Sequence, residues 1–159
     1  QRLVEDIASV IDEKIDEIAF IIGPIAKGFP KDTEDKLLKI AAKLGAKGSV
    51  YVQEEALGTA HAIYCAKELL RGPTLIVFAD TLFETDLDFS TESDGCIFVQ
   101  EVDNPSEYGV VKTNNLGKIT EFIEKPKTNI SNLAIVGIYY FSHSFRVVCD
   151  SSTSQKSRF

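Results

Sequence analysis

The sequence predicts an α/β fold with an open, mostly parallel sheet in three layers, followed by an antiparallel extension. The first observation is that strand-like and helix-like segments alternate over residues 1–80, because right-handed crossovers of this kind build parallel sheets. The second is that four strand-like segments follow residue 95 with no helix-length segment between them. Together these two patterns are typical of a mixed sheet in one α/β domain.

The first half alternates amphipathic helices with buried strands. The predicted elements are a helix over residues 3–15, a strand over 18–22, a helix over 33–44, a strand over 49–53, a helix over 58–70 and a strand over 74–80. The run 18–22 is wholly apolar and ends at Gly23-Pro24, as in a strand buried on both faces. Asp32 or Thr33 can cap the second helix, and Gly45 suits the left-handed position beyond its end.

The second half is predicted to form antiparallel strands over residues 96–102, 109–113, 118–124 and 133–141. The segment Asn114-Asn115-Leu116-Gly117 supplies a hairpin turn between two of them. We expect residues 1–148 to form one partial domain and residues 149–159, which are rich in Ser, to be a disordered tail.

Composition narrows the class of protein. The net charge of -7 argues against a nucleic-acid partner, and the longest apolar runs are too short for a membrane helix, so we expect no membrane partner.

Cys65, Cys96 and Cys149 are odd in number and widely spaced, which favours reduced thiols in a cytoplasmic protein. His61 precedes Cys65 by four residues, but a packed or partly exposed helix histidine is a better interpretation than a metal ligand. The sequence leaves the oligomeric state open.

Polar residues follow two of the predicted strands. Asp80 ends a strand at the carboxyl edge of the sheet, where a carboxylate can hold a hard cation such as Mg²⁺, although a turn or cap residue is the alternative. Gln53 carries an amide that can both donate to and accept from a nucleobase, or can simply face solvent at the end of a strand. Gly58 and Thr59 open a helix and let a planar ring approach the backbone, or else they only cap it.

A second set of candidates lies in the antiparallel half. Lys125 follows a strand and precedes a proline, so its ammonium has a fixed direction, and with Glu124 it could grip a sugar phosphate and a sugar hydroxyl. A surface ion pair of little consequence is the alternative. Glycines interrupt two strands and either weaken the sheet or make space for a ligand. These glycines lie in Tyr108-Gly109 and Val136-Gly137.

Six short motifs occur in a fixed order along the chain. They are Gln53, Leu57-Gly58-Thr59-Ala60, Phe78-Ala79-Asp80, Tyr108-Gly109-Val110-Val111, Glu124-Lys125-Pro126 and Val136-Gly137-Ile138-Tyr139. In this order the chain resembles the sugar-1-phosphate nucleotidylyltransferases, especially the glucose-1-phosphate thymidylyl- and uridylyltransferases. The resemblance implies a nucleotide-diphospho-sugar transferase fold, Mg²⁺ dependence, and transfer of a nucleotidyl group from a nucleoside triphosphate to a sugar 1-phosphate with release of pyrophosphate.

The resemblance also implies residue roles. Gln53 would contact the base, Gly58 and Thr59 would lie against the nucleotide, and Asp80 would be a catalytic residue that holds the metal. Lys125 would be catalytic and would bind the sugar phosphate. The remaining sugar-side residues would be Tyr108, Gly109, Glu124, Val136 and Gly137.

The sequence departs from the family pattern at its start. Such enzymes begin with a strand and a Gly-rich loop bearing Arg and Lys, and they place a second metal-binding Asp further along. The chain therefore resembles a fragment that lacks the first strand, the loop and the C-terminal part, and we expect it to be weakly active or inactive by itself. A non-catalytic nucleotide-sugar binding or regulatory module is the alternative. A nucleotide-dependent reductase is disfavoured because no Gly-x-Gly-x-x-Gly follows a strand.

Overall fold

The structure is a computed structural model that describes residues 2–11, 14–24, 30, 32–79 and 94–143. These residues form two compact units, the first containing the described residues up to Gly72 and the second those from Pro73 to His143. A single domain over residues 1–148 stays a prediction, and the predicted tail lies outside the described residues. The elements are α1 (Arg2–Val10), β1 (Glu17–Ile22), α2 (Thr33–Lys43), β2 (Lys47–Val52), α3 (Thr59–Cys65), β3 (Thr74–Val77), β4 (Gly95–Glu101), β5 (Gly109–Thr113), β6 (Ile119–Glu124) and β7 (Leu133–Phe141).

The first unit contains a parallel strand pair with a helical crossover. β1 pairs with β2 in parallel, from Glu17 opposite Lys47 to Ile22 opposite Val52, and α2 connects the two strands as predicted. An ideal Cβ on Gly48 would lie 2.9 Å from the Cβ of Ala41, which is fully buried. The helix therefore packs on β2 at a distance that only glycine permits.

Both ends of α2 were predicted at the right residues, but the start differs in detail. Gly45 has φ +73°, its N–H donates to the Ala42 carbonyl at 3.1 Å, and the Ala46 N–H donates to the Ala41 carbonyl at 3.0 Å. This is the Schellman arrangement. At the start, Asp32 occupies the cap position without a side-chain cap hydrogen bond, because its carboxylate pairs with Lys36 at 2.8 Å. The hydrogen bond from Lys36 lowers the pKa of Asp32.

The second unit is the predicted antiparallel sheet. Its strand order is β3-β7-β5-β6, and β4 also pairs with β7, so β7 is the central strand. The predicted hairpin joins β5 to β6: Gly117 has φ +74°, and the Asn114 side-chain oxygen accepts from the N–H groups of Leu116 and Lys118. The core of this sheet is apolar and contains Val110, Val111, Ala134 and Ile138.

The position of β3 corrects one expectation. The α/β class is confirmed, but β3 was predicted to continue a parallel sheet, and it instead pairs antiparallel with β7, from Thr74 opposite Phe141 to Val77 opposite Ile138. Among the described strands, parallel pairing is therefore limited to β1 and β2. The alternation of elements predicts crossovers but not neighbours, since successive strands are adjacent in space only about two-thirds of the time.

Two helices, α1 and α3, are shorter than predicted. α1 ends at Val10 rather than at residue 15, and α3 ends at Cys65, with a separate 3₁₀ turn at Lys67–Leu69 in place of its last turn. None of the described helices has the length and apolar character needed to cross a membrane.

Candidate functional site

Gln53 leaves the parallel strand pair with its side chain turned toward α3. Its backbone N–H donates to the Ile22 carbonyl at 2.8 Å, which continues the β1–β2 ladder by one residue. Its side-chain Nε2 lies 3.0 Å from the Gly58 carbonyl oxygen and 3.0 Å from His61 Nδ1. The amide is thus anchored at both ends of the first turn of α3.

This hydrogen bonding fixes the orientation of the Gln53 amide. A carbonyl oxygen can only accept, so the Gln53 atom facing Gly58 must be the nitrogen. That nitrogen also faces His61 Nδ1, which must then be the accepting nitrogen of the ring. Both amide hydrogens are engaged within the chain, so Gln53 offers a ligand its oxygen rather than the donor and acceptor together that the sequence suggested.

Gly58 holds the N-cap position of α3 with φ +93°, a conformation that side-chain-bearing residues rarely adopt. An ideal Cβ there would meet no atom of the described part of the chain within 4 Å. Backbone conformation, rather than crowding by the protein, therefore requires glycine at this position. Gly58 and Thr59 are both exposed, which leaves their backbone accessible to a planar ring.

His61 is a residue whose role the sequence did not reveal. It was predicted as a packed or partly exposed helix residue, and it is half-buried. The missed signal was its position three residues after the N-cap glycine, because side chains in a helix lean toward its N-terminus. The His61 ring therefore reaches back to the Gln53 amide, which precedes the helix in the sequence.

The second group of candidates lies where β5 begins and β6 ends. Gly109 is paired with Glu124 across these strands, and an ideal Cβ on Gly109 would lie 3.0 Å from Glu124 Oε2. The Glu124 carboxylate therefore lies over the glycine. The absence of a side chain on Gly109 leaves room for this carboxylate.

Lys125 has φ +43° and is the only non-glycine residue with positive φ in the described part of the chain. Its backbone N–H donates to the Tyr108 carbonyl at 3.0 Å, and the following Pro126 is buried. Left-handed backbone at a residue with a side chain is unfavourable and persists only where its surroundings enforce it. The positive φ sets the direction in which the Lys125 side chain leaves the main chain, one residue after Glu124.

Tyr139 is a further residue with no role predicted from the sequence. It is 7% exposed, and burial, followed by the charge of Glu124, raises the pKa of its phenol. Its ring lies 5.7 Å from that of Phe78, and the Phe78 N–H donates to the Gly137 carbonyl at 3.1 Å. Phe78, the residue that follows β3, is thus held against β7.

The structure places the predicted residues in two groups, each within one unit. Gln53, Gly58 and Thr59 lie together in the first unit, while the sugar-side candidates lie in the second. Gly137 has φ +77° within β7 and follows Val136, which is half-buried. Asp80, the predicted metal ligand, lies outside the described residues, and no group of three or more potential metal ligands occurs among the residues that are described.

Comparison with curated proteins finds relatives that match most of this chain. The bifunctional protein GlmU of Methanococcus maripaludis is 30% identical over 144 residues, which cover 89% of this chain and 33% of that protein. The nucleotidyltransferase Agl11 of Haloferax volcanii, named for low-salt glycan biosynthesis, is 34% identical over 135 residues, covering 80% and 37%. The chain spans about a third of the length of these relatives.

Solved structures show the same likeness. A Bacillus anthracis protein described as a glucose-1-phosphate thymidylyltransferase, crystallised with sucrose, matches with a TM-score of 0.65 at 25% identity, over 79% of this chain and 52% of that one. A nucleoside-diphosphate-sugar pyrophosphorylase of Vibrio cholerae has the same fold, with a TM-score of 0.67 at 22% identity, over 88% and 59%. The family model for nucleotidyl transferases matches residues 2–157. The chain therefore belongs to the nucleotidyl transferase family.

Proposed function

We propose that the whole protein transfers a nucleotidyl group from a nucleoside triphosphate to a sugar 1-phosphate, which forms a nucleotide sugar and releases pyrophosphate. In this reaction a phosphate oxygen of the sugar 1-phosphate attacks the α-phosphorus as the bond to pyrophosphate breaks. Such chemistry depends on positioning and on charge neutralisation rather than on a protein nucleophile. A relative in Haloferax volcanii that is 33% identical over 105 residues, covering 61% of this chain and 43% of that protein, is named a UTP–glucose-1-phosphate uridylyltransferase. UTP and glucose 1-phosphate are therefore the first substrates to test.

The observation that carries this proposal is the arrangement at the end of β6, where the Glu124 carboxylate lies over Gly109 and the next residue, Lys125, has positive φ. A cation and an acceptor are thus carried by two adjacent residues, one with a strained backbone and one with its carboxylate over a glycine. A phosphate and the hydroxyls of a sugar need these two groups together. We assign Lys125 to the sugar phosphate and Glu124 to the hydroxyls, with Tyr108, Val136 and Gly137 bordering the sugar.

In this proposal the first unit binds the nucleotide. Gln53 contacts the base, and Gly58 and Thr59 lie against it, which is supported by the exposure of both residues and by the fixed amide of Gln53. Mg²⁺ is the proposed metal, with Asp80 as its protein ligand, and it would neutralise phosphate charge. The position of Asp80 in the sequence, three residues after the last residue of β3, supports this assignment.

The test is pyrophosphate release from UTP and glucose 1-phosphate by the chain and by a form extended with the adjoining coding sequence. We expect activity in the extended form, little in the 159-residue chain, and a large loss with Lys125→Ala or Asp80→Asn. Lys127→Ala is the matched control, because Lys127 is exposed two residues further on. Calorimetric binding of both substrates without pyrophosphate release would refute catalysis and support a non-catalytic binding module instead.

A further inference from the structure

Two hydrogen bonds within the protein hold the Gln53 amide, and contact with the base does not by itself explain them. A glutamine side chain at the end of a strand has several rotatable bonds, so an amide that must meet a base in one orientation loses rotamer entropy on binding unless the protein holds it beforehand. Here two acceptors hold the nitrogen, the Gly58 carbonyl at 3.0 Å and His61 Nδ1 at 3.0 Å. All three residues belong to the first unit.

The two acceptors differ in how easily they are replaced. Gly58 contributes a backbone carbonyl, which already accepts from the Ala62 N–H at 3.2 Å and remains in any variant. His61 contributes a side chain, and it serves only if Nδ1 is unprotonated, so the ring proton must lie on Nε2. Histidine thus supplies the one acceptor of the pair that depends on residue type.

We propose that His61 is a positioning residue for nucleotide binding: its Nδ1 holds the Gln53 amide nitrogen so that the amide oxygen alone is turned to the base. This inference rests on the proposed function, since it takes Gln53 as the residue that contacts the base. An acceptor presented in this way fits a base that offers an N–H donor. His61 itself does not touch the substrate and acts through Gln53.

The test compares two substitutions in the extended form of the protein. His61→Leu has a similar size but no acceptor, whereas His61→Asn keeps an oxygen near the place of Nδ1. We expect His61→Leu to raise KM for UTP about tenfold, equivalent to about 1.4 kcal/mol, with kcat and KM for glucose 1-phosphate changed less than about twofold. We expect His61→Asn to stay within about threefold of the native KM, because its side-chain oxygen can still accept from the Gln53 amide nitrogen.

A double-mutant cycle separates positioning from a structural role. In a Gln53→Ala background, His61→Leu should raise KM for UTP no further, because the group that it positions is gone. An equal rise in both backgrounds, or none in either, would overturn the proposal. Where turnover is too slow to measure, the dissociation constant for UTP replaces KM, and the same pattern is expected.

Nitrogen NMR of the 159-residue chain provides a readout that does not depend on activity. We expect the His61 ring proton on Nε2 and slow solvent exchange of the Gln53 side-chain amide, with the slow exchange lost in His61→Leu. The opposite tautomer would overturn the positioning role even if the protein releases pyrophosphate. Conversely, the expected tautomer and cycle for UTP binding without pyrophosphate release would uphold positioning and refute the proposed catalysis. A protein that does not bind UTP would overturn both.

Discussion

The strained backbone at Lys125 yields a prediction about both stability and binding. Lys125→Ala keeps a side chain at φ +43°, whereas Lys125→Gly removes the strain. Left-handed backbone costs a residue with a Cβ about 1–2 kcal/mol. Glycine loses about 0.5–1 kcal/mol through the greater freedom of the unfolded chain. The midpoint of the first range minus the midpoint of the second is roughly 0.7 kcal/mol. Lys125→Gly should be more stable than Lys125→Ala by that amount.

Gly117→Ala is the matched control, since it makes the reverse change in the same unit. Gly117 has φ +74°, and an ideal Cβ there meets no described atom within 4 Å, so strain is the main effect. By the same arithmetic this variant should lose roughly 0.7 kcal/mol. Urea unfolding followed by circular dichroism measures all three variants against the native chain. The reasoning is refuted if Lys125→Gly is the less stable of the Lys125 pair while Gly117→Ala loses stability as expected.

The same variants separate the effect of the strained Lys125 backbone on stability from the effect of its ammonium on binding. Both Lys125→Ala and Lys125→Gly remove the ammonium, so both should weaken binding of glucose 1-phosphate, which calorimetry measures. A charge-assisted hydrogen bond contributes about 1.5–3 kcal/mol, so a loss of at least tenfold in affinity is expected. Affinity within about twofold of native in Lys125→Ala would contradict the sugar-phosphate assignment.

Three further perturbations follow from the geometry. Gly109→Ala would place a Cβ 3.0 Å from Glu124 Oε2, so it should displace that carboxylate and raise KM for the sugar phosphate while KM for UTP stays unchanged. An unchanged sugar-phosphate KM would contradict the role of Glu124. Burial and, to a smaller extent, the charge of Glu124 raise the pKa of the Tyr139 phenol above 10.0. The free energy of unfolding that this shift contributes is therefore complete below about pH 10 and is lost as the pH rises through the raised pKa. Tyr139→Phe should remove that alkaline loss, as measured by urea unfolding across the range. Gly48→Ala, with a Cβ 2.9 Å from Ala41 Cβ, should destabilise the first unit by about 1–3 kcal/mol, and a loss below about 0.5 kcal/mol would show that α2 can shift.

The sequence proposed candidate residues for the site but not the contacts that these residues make. Motif order singled out Gln53 and Lys125, because residue type and position at strand ends are visible in one dimension. The sequence did not reveal that His61 engages the Gln53 amide, or that Glu124 lies over Gly109. Such contacts depend on the rotamers and the strand register of a folded chain, which no short motif specifies.

The sequence by itself determined the features set by local chemistry. The apolar run of β1, the Schellman end at Gly45 and the hairpin at Asn114 each follow from the residues within one short segment. Tertiary structure alone decided that β3 pairs with β7 and that Lys125 adopts positive φ. The reason is that strand partners and enforced strain depend on free-energy differences between distant segments, whereas turns and caps depend on hydrogen bonds between residues a few positions apart.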